Sequence, residues 1–265
     1  MLIGKEVETI LHSTLTVDKW AVSYIDIPEV GEDQLKETFE GQVQIEQTDQ
    51  QKYLGFVLSR TGDNMVNINH IKKKSKGIRR RIFNRLNSLT LNHYYFECAL
   101  VMMNAMLRSS ILYACETYYD LKEQEIRNLE RIEEEFLREL LKTTKGCPIT
   151  QIYLEVGLIP ARFEIIRIRL LFLKNILNQS EESMIVKFVK LQIESPVKGD
   201  WAATCLENLN YLQIEESLEE IKEMSDHKYK RILKERIKKA AYEYLTGKQR
   251  SKGGDIYYSD IHYKW

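Results

Sequence analysis

The chain has 265 residues, of which 39 are basic and 39 acidic, so no net field gathers nucleic acid and any electrostatic partner must be recruited by a local patch. Apolar residues make up 43% of the chain, enough for the core of one large or two modest domains. Only 4 Pro and 12 Gly occur, and Glu, Lys, Leu, Ile and Arg dominate, which favours regular structure, and helix over strand.

The first sixty residues read differently from the rest. "KEVETILHST" suits a short amphipathic helix, "KWAVSYIDI" and "QVQIEQT" alternate apolar and polar as strands do, and "QQKYLGFVLS" ends in a third β-rich run. "PEVGEDQ" from Pro28 is a turn or loop, and "SRTGDN", Ser59 to Asn64, is a second turn and the best domain boundary.

After Asn64 the period becomes helical, and Ile71, Ile78, Ile82 and Leu86 fall on one stripe. Seven cations, Lys72, Lys73, Lys74, Lys76, Arg79, Arg80 and Arg81, occupy the rest of that helix with no acid among them. Gly77 costs about 1 kcal/mol relative to Ala, which leaves room for a kink there. Three readings stay open on charge alone: a phosphate-gripping helix, a nuclear import address, or a solvated face.

"YYFECALVMMNAMLRSSILYACETYY" from Tyr94 is apolar nearly all round and predicts a central buried helix. In "DLKEQEIRNLERIEEEFLRELLKTTKGCP", Asp120 with Glu123 predicts the amino-terminal cap, and Gly146 and Pro148 the stop. The buried stripe is Ile126, Leu129, Ile132, Phe136, Leu137 and Leu140. "ITQIYLEVG" is a short helix closed by Gly157, and Pro160 opens "PARFEIIRIRLLFLKNILNQ". "ESMIVKFVKLQI" and "SLEEIKEMSDHKYKRILKERIKKAAYEYL" predict two more helices, the second broken near Ser225 and Asp226. The tail "TGKQRSKGGDIYYSDIHYKW" is polar and aromatic, without a period, and no repeat of solenoid length occurs.

Cys98, Cys115, Cys147 and Cys205 form no C-x-x-C pair and have no His at metal spacing, which points to free thiols and a reducing compartment, nuclear or cytoplasmic. No eighteen-residue apolar run or secretory leader pattern is evident, so no membrane is expected. The chain carries no glycine-rich phosphate loop, G-x-S-x-G or H-E-x-x-H. Its histidines (His12, His70, His93, His227, His262) are scattered. Glu133 to Glu135 point about 100° apart on a helix and cannot converge on one ion, so a solvated face is expected there.

The order of motifs resembles the C-terminal part of non-LTR (LINE-type) retrotransposon reverse transcriptases. The matching blocks are "YLGF" at Tyr53, "GDNMVNI" at Gly62, the basic helix, the run from Tyr94 to "FLRELL", "PITQIYLEVGLIPARFEIIRIRLLFLKNIL" from Pro148, "ESPVKGDW" from Glu194 and "IKEMSDHKYKRILKERIKKAA" from Ile221. The resemblance spans roughly residues 50 to 252.

It implies a mainly helical fold: a palm remnant of small α/β type with a primer-grip hairpin over residues 1–62, a thumb-like bundle over 63–147 and a C-terminal helical region with a polar tail over 148–265. Tyr53, Leu54 and Gly55 would form the hairpin that supports a primer's 3′ end. The seven cations would lie on a thumb helix clasping an RNA–DNA duplex, which makes phosphate contact the leading reading. Lys19 would match a lysine of the strand after the catalytic motif, a plain surface lysine being the other reading.

The family's catalytic aspartates, including a Tyr-x-Asp-Asp turn that holds Mg2+, have no counterpart here, and Asp18 and Asp26 stand isolated. The implied function is that of a reverse-transcriptase fragment that binds primer–template without polymerising, with no metal or cofactor of its own. The uncovered thumb and palm surfaces imply an exposed apolar patch near the first sixty residues, suited to self-association or to the missing polymerase portion. The alternative is a retroelement-derived helical protein-interaction scaffold, with "LEEIKEM" and "ERIEEEFLREL" facing the partner.

Overall fold

The computed structural model describes Ala21–Val22, Glu46–Gln47 and residues 49–251 apart from 88–93, 119 and 145. The expected helix "KEVETILHST", the loop from Pro28, Lys19 and the aromatic tail lie outside the described residues. The chain divides into two compact units, Met1–Asn67 and Ile68–Trp265.

In the first unit, β1 (Ala21–Val22) pairs parallel with β2 (Glu46–Gln47), and β3 (Gln50–Tyr53) pairs antiparallel with β4 (Phe56–Ser59). Tyr53 faces Phe56 across a two-residue turn in which Leu54 (φ 46°) and Gly55 (φ 94°) both lie at positive φ. That is the type I′ geometry whose twist matches a hairpin, and glycine meets its second position without strain. The Val57 N–H donates to Asn67 Oδ1 at 3.0 Å, fixing β4 to the first turn of helix α1 (Asn64–Asn87). Asp63 opens that helix, its carboxylate accepting the Met65 N–H at 2.8 Å.

The second unit is helical. The expected stripe of α1 is buried at Ile71, Ile78, Ile82 and Leu86, with Ile68 added, and the helix runs through Gly77 without a break. Gly77 faces open space, so its cost is conformational and is absorbed by the packed stripe on the opposite side.

The run from Tyr94 departs from its expected form. It comprises α2 (Tyr95–Met102), a π-helical segment (Met103–Arg108), α3 (Ser109–Ile111) and a 3-10 turn (Cys115–Thr117). Only one side is buried, along Ala99, Met103, Leu107 and Ile111, while Val101 (66% exposed), Tyr94 and Tyr113 face out. The Ser109 hydroxyl donates toward the carbonyls of Ala105 (2.7 Å) and Met106 (3.2 Å) inside the widened turn. Among the described residues, Tyr95–Thr117 is the one helical stretch long and apolar enough by composition to cross a membrane; a third of its most apolar window is buried within the protein.

Helix α4 (Glu123–Leu141) starts later than expected. Lys122 is its N-cap, with Glu125 Oε2 accepting the Lys122 N–H at 2.7 Å, and Asp120 sits at positive φ outside it. It also ends before Gly146: Lys142 adopts the left-handed conformation, and the Thr143 N–H closes on the Arg138 carbonyl at 3.0 Å. Arg138 then holds the following loop through the carbonyls of Thr144 and Cys147, both at 2.9 Å.

The helices α5 (Ile149–Val156), closed by Gly157 at φ 68°, and α6 (Ala161–Leu177), opened by Pro160, form as expected. Next come α7 (Met184–Glu194), α8 (Trp201–Tyr211), α9 (Leu218–Glu223) and α10 (Asp226–Ser251). The break near Ser225 is present, and α8 was not foreseen. A core of Phe163, Leu173, Val189, Cys205, Ile221 and Leu233 joins α6 to α10. Lys174, almost fully buried on α6, donates to the carbonyls of Ile221 (2.9 Å) and Met224, so its ammonium closes the end of α9.

Candidate nucleic-acid interface

At about 100° per residue, the cations of α1 sort into three sets around the helix. Lys73, Lys76 and Arg80 fall within about 60° of one another, opposite the buried stripe, and all three are exposed. Asn69 and Asn84 extend the same exposed line, so the outward face combines amide and cationic donors without a carboxylate. Along the axis, Lys73 to Arg80 covers about 10 Å at 1.5 Å per residue.

Lys72 and Arg79 lie on the edge toward α4. Arg79 is engaged within the chain: its Nη1 donates to Glu135 at 2.6 Å, and its Nε lies 3.1 Å from Glu139. Phe83 packs on Phe136 one turn further along, with ring centroids 5.1 Å apart, so Arg79 helps to fasten α1 to α4. Lys74 and Arg81 lie on the other edge with Arg85, toward the π segment, and both are exposed. Lys72, Lys73, Lys74, Lys76, Arg80 and Arg81 form no ion pair with a described carboxylate, in contrast to Arg79. In the hairpin, Tyr53 and Leu54 are mostly exposed (64% and 74%), as is Leu58 in part.

The acidic run on α4 is no solvated face. Glu133 is fully buried and accepts from Arg108 Nε (2.7 Å), the Tyr153 hydroxyl (3.1 Å) and the Ala161 N–H (3.1 Å). Burial pushes its carboxyl above the ordinary value, against the pull of those donors, and burial together with Glu133 pushes the Tyr153 phenol up as well. Glu134 is half-buried, and Glu135 reaches Arg79. The three carboxylates do diverge, each toward different surroundings. Among the described residues no group of three His, Cys, Asp or Glu side chains is arranged to hold a metal ion.

A second buried acid, Glu130, receives two bonds from Arg162 (2.5 and 2.8 Å), which also reaches Glu123 and lies 4.5 Å over the Tyr244 ring. Sequence reasoning missed both hubs, although Glu130 and Glu133 each stand four residues after an apolar stripe position, Ile126 and Leu129, on the arc that must face a neighbour.

The four cysteines are free thiols; burial pushes those of Cys115 and Cys205 up to about 12. Comparison with protein-family models, curated proteins and solved structures found no match for this chain.

Proposed function

We propose that this chain grips the sugar–phosphate backbone of an RNA–DNA hybrid through the outward face of α1, as the thumb of a non-LTR reverse transcriptase does, without itself catalysing polymerisation. The observation that carries the reading is the exposed Lys73–Lys76–Arg80 line, flanked by Lys72, Lys74 and Arg81, with no described carboxylate to neutralise it. A cationic row on a rigid, packed helix meets a phosphate ladder without reorganisation, and such contact is blind to base sequence. The order of motifs supplies the rest: the type I′ hairpin at Tyr53–Phe56 stands ahead of this helix in sequence, where the resemblance expects the primer grip.

The test is hybrid binding measured against salt. Each phosphate neutralised adds about 0.9 to the slope of log affinity against log salt on B-form duplex, so reversing Lys73, Lys76 and Arg80 to Glu removes about three phosphate contacts from it. Equal affinity and slope in the charge-reversed protein would falsify the proposal.

A second reading, a protein-interaction scaffold, is favoured by a different observation. On α7, Met184 (85% exposed), Phe188 (56%) and Leu191 (60%) repeat at helical spacing on an uncovered face. The helices expected to meet a partner are not the ones left open: Ile221 of "LEEIKEM" and Phe136 and Leu137 of "ERIEEEFLREL" are fully buried. Partner capture that survives nuclease treatment and is lost in Phe188→Glu would favour this reading.

A further inference from the structure

Beside the cationic line, α1 and the π segment enclose a groove of about 450 Å³ lined by Arg81, Asn84, Arg85, Met102 and Met106. Its two methionines, one helical turn apart, lie in a lining that is mainly apolar, while Arg81 and Arg85, also one turn apart, bring cationic groups to it. The methionines belong to a stretch where the helix is widened: Met106 lies within the π turn and Met102 immediately precedes it. Such insertions cluster at functional sites because they re-aim side chains that a regular helix would place elsewhere.

We propose that this groove takes one unpaired nucleobase, held by its π-face against the Met102 and Met106 thioethers, with the adjoining phosphate on Arg81. The inference rests on the nucleic-acid reading of α1 and adds what kind of nucleic acid is preferred: a duplex with a single-stranded extension rather than a blunt one.

The chemistry selects this occupant. A polarisable thioether against a flat aromatic ring is a favourable contact, and a base always carries an anionic linkage that Arg81 can meet. A partner helix would need a longer row of apolar anchors at three- and four-residue spacing, which two methionines do not provide. Paired bases are shielded within their stack, so only an unpaired one can enter. Arg81 follows Arg80 directly in sequence, so it continues the phosphate-facing line around the helix.

The experiment uses the full chain and five hybrids of equal duplex length: blunt, with a 3′ extension, with a 5′ extension, and with each of the two extensions made abasic. One extended hybrid is expected to bind roughly three- to tenfold more tightly than the blunt one, an advantage the abasic version loses. A 2-aminopurine at the first unpaired position should change its fluorescence on binding. Met106→Ser, with Met102→Ala as a companion, should abolish the advantage while leaving blunt-hybrid affinity in place.

If blunt and extended hybrids bind alike and the abasic change is silent, the groove proposal fails while the α1 reading stands. If no hybrid binds, both fail together. If Met106→Ser changes the sedimentation of the protein but not the ratio between extended and blunt hybrids, the groove is a contact between copies of the chain, and the nucleobase assignment is overturned.

Discussion

Replacing Glu133 with Ala removes a carboxylate that accepts three hydrogen bonds at a fully buried position, and leaves Arg108, Tyr153 and Ala161 each short of a partner. Arg108 retains its bond to the Ile159 carbonyl at 2.5 Å, which does not balance a guanidinium charge. Deleting one member of a buried ion pair costs about 3–5 kcal/mol, and each orphaned buried donor about 1–3 kcal/mol. These costs overlap because one rearrangement or one entering water relieves several groups, so the expected loss is about 4 kcal/mol. At roughly 2–4 °C per kcal/mol for a chain of this size, the melting temperature falls by about 8–16 °C. The decisive comparison is a double-mutant cycle in urea with Arg108→Met and Glu133→Leu, followed by far-ultraviolet circular dichroism. Removing both charges should recover at least about half of the loss of the worse single variant, since apolar replacements of buried pairs are often neutral. A Glu133→Ala cost under about 1 kcal/mol, or strict additivity in the cycle, would refute the reasoning.

Three further outcomes are expected. Arg79→Ala should lower stability by about 1 kcal/mol, because its two partners are half-exposed, yet leave the salt slope of hybrid binding unchanged; Arg80→Ala should do the reverse. Thiol titration of the native protein at mildly alkaline pH should label Cys98 and Cys147 first, with Cys115 and Cys205 reacting only on unfolding, since their thiolates form near pH 12; four equivalents reacting at one rate would contradict this. Gly55→Ala should cost about 1 kcal/mol in urea unfolding because its φ of 94° strains any Cβ, and a neutral effect would argue against the type I′ turn.

Much of the helical frame was legible because apolar spacing and punctuation agree. The α1 stripe, the Gly157 closure, the Pro160 start and the break before Asp226 all follow from side-chain periodicity or from backbone chemistry fixed by one residue. The cap of α4 was misplaced because two acids, Glu123 and Glu125, offered equivalent spacings, and tertiary packing selected Glu125, which is itself buried. Helix α8 escaped notice because "WAATCLENLNY" mixes small and amide residues; its burial of Ala202, Cys205 and Leu209 is supplied by neighbours rather than announced by a stripe.

The candidate site was half legible. Charge count found the tract, but a linear run cannot reveal which cation a helix turns toward its own carboxylates, and only α4 shows that Arg79 is spent internally. The same limit hid Glu130 and Glu133: acids in a row read as wet until the arginines that meet them arrive from sequence-distant helices. The apolar composition of Tyr94 onward likewise gave burial all round, because composition carries no information on which side lacks a neighbour.

Arg162 stands on α6, bonds to acids of α4 and lies over a ring of α10, so one planar cation spans three segments far apart in the chain. Such a staple makes their opening a joint event: amide protons at the start of α4 and in the last turns of α10 should exchange with solvent at a common rate, and the whole bundle should let go as a single cooperative block rather than peel from its carboxyl end.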